Sequence, residues 1–338
     1  MSFCLAGVVK SLAVTAAILS GTHPAATAGW QENRRVTRQA VIRIAETAEP
    51  DQKKPENTPA TAPMANSAII AEHVAALMVR ARANHAKGDF DRAREDSDEI
   101  IRLDPRNIEA FVVRGDANAG VKQYEKAIDD YDAAIRLDPN SARLFSLRAA
   151  AFASRQEPRL AVRDYTEAIR LNPKDVKLFT ARAAVFKKTR RYDLAIDDQS
   201  EAIRLDPASA ELYDSRGETY ARNNAYEKAI EDYSNAIRLK PLATFYLNRG
   251  AAYQLKNDLD SALADYNKAI ELNSKLALAY NNRGTVLRAK GNRPRALADF
   301  TTAARLDPDL EIAVTHRKDL AREIERLGAQ MPLKEKAK

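Results

Sequence analysis

The sequence predicts an all-α fold, a stack of seven two-helix hairpins closed by a cap helix. Three observations predict it. The first is a spacing: Leu103-Asp104-Pro105, Leu137-Asp138-Pro139, Leu171-Asn172-Pro173, Leu205-Asp206-Pro207 and Leu239-Lys240-Pro241 stand 34 residues apart, Leu272-Asn273-Ser274 follows after 33 and Leu306-Asp307-Pro308 after 34 more. The second is the set of columns that appears when the proline is placed at position 32 of each unit. Position 8 is small throughout (Ala81, Gly115, Ala149, Ala183, Gly217, Gly250, Gly284), and position 20 is alanine in every unit (Ala93, Ala127, Ala161, Ala195, Ala229, Ala262, Ala296). The third is a run of polar or helix-breaking residues at positions 14–17, such as Lys87-Gly88-Asp89 and Lys290-Gly291-Asn292, which predicts a tight turn in the middle of each unit.

Apolar residues at 4, 8 and 11 share one helical face, as do those at 20, 24, 27 and 28, so each unit reads as two antiparallel helices. Position 4 is large (Leu77, Phe111, Phe145, Phe179, Tyr213, Tyr246, Tyr280), and position 24 is Tyr131, Tyr165, Tyr233, Tyr266 or Phe300, with Ser97 and Gln199 as exceptions. Small residues let the helices approach, and the large residue at 4 or 24 is expected to fill the neighbouring gap. The proline at 32 is expected to end the second helix. One hairpin cannot bury its apolar face alone, whereas stacked hairpins can.

The units fall at about 74–107, 108–141, 142–175, 176–209, 210–242, 243–276 and 277–310, an array spanning 68–310. The sixth is one residue short after Pro241 and lacks the closing proline, which predicts bent junctions there. Residues 311–327, apolar at Ile312, Leu320, Ile324 and Leu327, read as a capping helix ending at Gly328, and 328–338 as a basic disordered tail. Ahead of the array, residues 1–28 carry no Asp or Glu, and the apolar run Leu12–Leu19 ends at Ser20, Gly21 and Pro24 before Ala26-Thr27-Ala28. A run that short cannot cross a hydrocarbon core of about 30 Å, so it reads as a secretory signal cleaved after Ala28 rather than a span. Cleavage would remove Cys4, the sole cysteine. Residues 29–67 read as a disordered Pro/Ala/Thr-rich linker, with Pro50, Pro55, Pro59 and Pro63 interrupting any regular element.

Composition removes several function classes. A single cysteine excludes a disulfide framework and a cysteine zinc site. The net charge of +7 suggests acidic partners at first sight, but the ends carry much of it, and residues 67–327 hold only +3. No nucleic-acid ligand is expected from that balance. The densest basic run, Lys187-Lys188-Thr189-Arg190-Arg191, falls on a turn and reads as a solvated loop. Nucleophile-elbow, phosphate-loop, dinucleotide and zincin motifs are missing, and His73, His85 and His316 are far apart, so neither catalysis, a cofactor nor a metal is expected.

Two charged columns run through all seven units. Arginine holds position 7 (Arg80, Arg114, Arg148, Arg182, Arg216, Arg249, Arg283) and aspartate position 23 (Asp96, Asp130, Asp164, Asp198, Asp232, Asp265, Asp299). A hairpin turning near 15–16 brings these levels together, which predicts a structural ladder of charge pairs within or between units. Arginine at position 29 recurs six times and is expected to complement helix C-termini.

These columns resemble the tetratricopeptide repeat, and stretches such as Tyr280-Asn281-Asn282-Arg283-Gly284 resemble its Asn-Arg-Gly variety. The resemblance covers roughly residues 68–327. It implies a right-handed α-solenoid superhelix whose first helices line the concave side, with positions 2, 5, 6, 9, 12 and 13 facing a bound partner protein or extended peptide. Carried onto this chain, those positions give Glu109 and Asp116 in the second unit, Lys177, Lys187 and Lys188 in the fourth, and Glu211, Asp214 and Glu218 in the fifth. In the sixth and seventh they give Asn248, Asn281, Asn282 and Thr285. The lysine–asparagine pair with which some relatives clamp chaperone tails is missing, so those tails are not expected ligands. The resulting expectation is a non-catalytic interaction scaffold, exported to the periplasm or beyond. The alternatives are an accessory subunit of an envelope-assembly or glycan-processing complex, and a cytosolic regulator if the signal is retained. Oligomeric state is left open.

Overall fold

Each unit of the array makes its turn in the same way. Position 15 adopts a left-handed backbone in all seven units: Gly88, Lys122, Gln156, Arg190, Asn224, Asn257 and Gly291 have φ between 59° and 79°. The residues before and after this turn are helical in every unit. The computed structural model of the chain describes residues 62–330, and the expected signal, most of the expected linker and the last eight residues lie outside them.

The hairpins are α1 (Ala62–Ala86) with α2 (Phe90–Leu103), α3 (Ile108–Gly120) with α4 (Tyr124–Leu137), α5 (Ala142–Ser154) with α6 (Pro158–Leu171), and α7 (Val176–Lys188) with α8 (Tyr192–Leu205). They continue as α9 (Ala210–Arg222) with α10 (Tyr226–Leu239), α11 (Ala243–Leu255) with α12 (Leu259–Leu272), and α13 (Ala277–Ala289) with α14 (Arg293–Leu306). A last helix, α15 (Glu311–Gln330), packs on α14. No strand occurs among the described residues. From α2 onward each helix packs on the next, and the first helices of neighbouring units also touch directly at α5/α7, α9/α11 and α11/α13. First helices therefore line the crowded, inner side of the stack.

The alanines at position 20 are fully buried, as are those at 27. Position 8 is small because the ring at 24 lies against it. A Cβ added to Gly115 would come 2.7 Å from Tyr131, one on Gly217 2.9 Å from Tyr233, and one on Gly250 or Gly284 2.8 Å from Tyr266 or Phe300. Alanine at position 8 faces Ser97 and Gln199 in the first and fourth units, and in the third Ala149 packs in one cluster with the Tyr165 ring. The large residue at 4 packs against the core as expected, with Leu77 and Phe179 buried, and does more besides. Phe111, Phe145, Tyr213, Tyr246 and Tyr280 are only part-buried, and they stand over the position-7 arginines with centroids 5.4–6.0 Å from the guanidinium carbon.

The charged ladder is present in every unit and runs both within and between units. Each arginine grips the aspartate of its own hairpin, as in Arg148–Asp164 and Arg216–Asp232. Its third nitrogen, Nη1, reaches back to position 25 of the preceding unit: Arg114 to Asp98 at 2.6 Å, Arg182 to Thr166 at 2.8 Å, Arg216 to Ser200 at 2.9 Å, Arg249 to Ser234 at 3.0 Å and Arg283 to Asn267 at 2.8 Å. The aspartates are buried and the arginines part-exposed. Arginine at position 29 occupies the last turn of its helix, and Arg170 and Arg204 also bind a glutamate three residues earlier.

Two boundaries differ from expectation, and two junctions of the sixth unit show how its departures from the pattern are closed. The α1 helix begins at Ala62, inside the segment read as linker, because a proline in the first helical turn costs no hydrogen bond. The sixth unit needs no proline to end its second helix. Its Asn273 side chain accepts from Lys275 N at 3.0 Å, as Asp104, Asp138, Asp206 and Asp307 do from the residue two ahead, and that local bond turns the chain. The shortened connection before it, Lys240–Leu242, is closed by Leu242 N to Lys240 O at 2.9 Å, and α10 still packs on α11. Lastly, α15 continues through Gly328 to Gln330 and so takes in part of the expected tail. Its Ala313 and Leu320 are fully buried, while Leu327 is exposed.

Candidate functional site

On the inner side, α7, α9 and α11 place four of the expected residues in one patch. Lys187 near the end of α7 lies 3.0 Å from Glu218 on α9, and Arg222, one turn further along α9, reaches the same carboxylate at 2.8 Å. Asn248 on α11 donates to Asp214 Oδ1 on α9 at 2.9 Å. Both bonds cross between units, so the patch exists only when three hairpins are stacked. Burial pushes the Asp214 carboxyl up to about 6, with Glu218 and Glu211 adding to the rise and Asn248 and Lys187 opposing it. Burial works against the Glu218 carboxylate too, but Lys187 and Arg222 together hold it below the usual range. Glu211 is exposed and bonds Lys240 at 3.1 Å.

The remaining expected residues do not join this patch. Glu109 lies between Arg82 of α1 and Arg143 of α5, bridging three units. Those two arginines hold it low against the opposing effect of burial. Asp116 accepts from the Tyr131 hydroxyl at 2.7 Å, and burial raises its pKa. Lys177 and Lys188 are exposed, and no carboxylate among the described residues pairs with either. Asn281 is no groove residue: only 2% of it is exposed, because α15 covers it and His316 Nδ1 lies 3.0 Å from its Oδ1. Asn282 accepts from Asn281 at 3.2 Å, and Thr285 donates to the Asn281 carbonyl at 3.0 Å. Arg82 and Arg143 on Glu109, and Arg222 on Glu218, belong to these inner contacts as well. They hold positions 9, 2 and 13, the same register as the expected residues.

Two departures from the repeat pattern each leave a buried acceptor without a partner. Asn118 stands where the third to sixth units carry a ring, and its Oδ1 meets no donor. Gln199 replaces the ring at position 24; its amide nitrogen bonds Ser215, and its Oε1 is orphaned.

The stack of in-phase hairpins, with a fixed ladder on its inside and variable residues along its first helices, defines an α-helical repeat protein of the solenoid class. The chain belongs to the tetratricopeptide repeat family. Models described as tetratricopeptide repeat match residues 243–276, 62–108 and 146–210, and one described as TPR repeat matches 122–156 and 217–257; together these cover more than half of the chain. The fold is similar to the C-terminal part of a TPR repeat-containing protein from Cytophaga hutchinsonii, at 18% identity and a TM-score of 0.61, over 71% of this chain and 98% of that one. It is also similar to a tetratricopeptide repeat protein from Parabacteroides merdae, at 19% identity and a TM-score of 0.54, over 74% of this chain and 99% of that one. At such identities the likeness shows the fold alone. No curated protein matches the chain. The repeat fold is typical of protein-interaction scaffolds, and no catalytic family is indicated. No helix among the described residues is long and apolar enough to cross a membrane.

Proposed function

We propose that this protein is a non-catalytic adaptor that holds an extended segment of a partner protein along its first helices. The single observation behind this reading is the patch Lys187–Glu218–Arg222 with Asp214–Asn248. It is a part-buried, polar surface assembled across three units, and Lys177 and Lys188 offer exposed cations from the same helix α7. Polar side chains of this kind can hydrogen-bond an incoming backbone directly or through water. The units are assigned to the Asn-Arg-Gly variety on the triplets 248–250 and 282–284, where the ladder arginine follows an asparagine and precedes the small residue.

The adaptor is exported, and the support for this is the apolar run and the Ala26-Thr27-Ala28 end of residues 1–28. The test of binding is in-cell crosslinking and recovery of the full chain beside a Lys177→Glu/Lys188→Glu/Asn248→Ala variant. A partner recovered with the first and lost with the second supports the inner face, and equal recovery overturns it. Intact mass tests export. A chain beginning at Gly29 supports it, and an uncut chain makes the cytosolic regulator the better reading.

A further inference from the structure

The two ends of the array are finished differently. At the C-terminal end α15 supplies a first helix without a second: Ala313 and Leu320 hold positions 3 and 10 of an eighth unit and are fully buried, packed with Ala303 and Phe300 of α14. At the N-terminal end the same two positions are Ala76 and Ala83, and both are exposed. In later units these positions pack on the second helix of the unit before, as Ala110 does with Ile100 and Ala151 with Ala127, Ile128 and Tyr131. Among the described residues no helix precedes α1. Val79 is 71% exposed, and the Arg80 side chain is 51% exposed where its six counterparts are 14–26% exposed. Arg80 grips Asp96 through Nε and Nη2. The Nη1 that reaches back to position 25 in the later units has no earlier unit to reach here. From Ala68 to Val79 the helix is apolar or small on every side apart from Glu72 and His73, the pattern of a helix that is covered all round.

The chain itself carries a segment that fits this face. With Glu46 set at position 25, the place whose acceptor Arg80 lacks, Val41, Ile42, Ala45 and Ala48 fall at positions 20, 21, 24 and 27. Those are the positions through which the second helices of later units meet the next unit: Ala127, Ile128 and Tyr131 on Ala151, and Ala269 on Ala279. Glu46 is the sole acidic residue in 36–48, and Pro50 follows to end a helix there. The reach is sufficient. Ala76 stands 14 residues into α1, about 21 Å from its start. The 13 residues 49–61 can span about 43 Å. We propose that residues 36–48 dock as a helix antiparallel to α1 and close the N-terminal end of the stack. Val41 then lies on Ala83, Ala48 lies on Ala76, and Glu46 accepts from Arg80 Nη1. The segment is the counterpart of α15, a second helix without a first, and it shortens the linker to 49–61. It goes beyond the adaptor reading and stands whether or not that reading holds.

The experiment is disulfide trapping in the full chain carrying Cys4→Ser. The pairs Ala48→Cys with Ala76→Cys and Val41→Cys with Ala83→Cys should each close within one chain on mild oxidation. The pair Ala48→Cys with Ala83→Cys, two helical turns out of register, should close about tenfold more slowly. Ala76 and Ala83 are exposed, so the cysteines leave the array folded. Equal rates for the three pairs, or no closure within a chain, overturns the proposal. Disulfides that instead join two chains through Ala76→Cys or Ala83→Cys put a second copy on this face and overturn it as well. A second readout uses no cysteine. Val41→Asp with Ile42→Asp should speed hydrogen exchange of the α1 amides between Val74 and Ala83 about tenfold and leave α13 and α14 unchanged. Glu46→Arg, which sets a like charge beside Arg80, should act in the same direction and lose its effect at high salt. Exchange in α1 that ignores the double substitution overturns the proposal, since it shows that nothing on this face was removed.

Discussion

Arg182 grips Asp198 through two parallel bonds, Nε at 2.9 Å and Nη2 at 2.7 Å, across the two helices of the fourth hairpin. The carboxylate is buried. Removing it leaves a part-buried guanidinium without its counter-ion, which costs far more than losing a surface pair. Asp198→Ala should lower stability by about 3–5 kcal/mol, against less than about 0.5 kcal/mol for the exposed neighbour Asp197→Ala. Urea unfolding of the two variants decides it, and equal losses would contradict a structural ladder.

The contact between Gly115 and Tyr131 gives a second expectation. An added methyl would come 2.7 Å from the Tyr131 ring, so Gly115→Ala should destabilise by about 1–3 kcal/mol through overpacking. Adding Tyr131→Ser should recover part of that loss, since it removes the ring that the added methyl meets. A double-mutant cycle with no coupling would remove this explanation of the small column.

At the hairpin turns, Gln156 has φ 68° and Gly291 has φ 79° at the equivalent place. A side chain in that region carries about 1–2 kcal/mol of strain, part of which glycine gives back as unfolded-state entropy. Gln156→Gly should therefore stabilise by about 0.5 kcal/mol or slightly more, and Gly291→Ala should destabilise by about 1 kcal/mol. Opposite signs in thermal melts are the measurement that matters.

Asp214 makes stability depend on pH. Its folded pKa, about 6, lies above its ordinary value of 3.8. The folded chain therefore binds a proton that the unfolded chain releases, and this contribution is present at pH 4 and lost as pH rises through 6. Asp214→Asn, which keeps a bond to Asn248 and carries no charge, should raise stability at pH 7.5 by up to about 2 kcal/mol. It should also flatten the slope between pH 4 and 7. Melts of both chains across that window check the sign.

The sequence carried the fold because a repeat states each contact seven times. Ala93 and its six counterparts at position 20 declare a buried, close-packed helix crossing without any coordinates. The partnership of Arg182 and Asp198 follows from two columns meeting across a hairpin. The candidate site was less legible. Asn281 has the register of a groove residue and is nevertheless buried, because α15 lies over it. Arg222 holds a groove register too, but only the structure shows that it shares Glu218 with Lys187. At position 4, Phe145 and Tyr246 pack against the core and also cover arginines, a second role that the columns do not announce.

By itself, then, the sequence determined the hairpins, their number, the turn position and the pairing of the two charged columns, since all of these are set by separations of a few turns along one chain. Only the tertiary structure decided that the third arginine nitrogen reaches back to position 25 of the unit before, and that Lys187 meets Glu218 and Asp214 meets Asn248. Those contacts depend on the offset and rotation between stacked hairpins, which a repeat period leaves free and side-chain packing between units fixes.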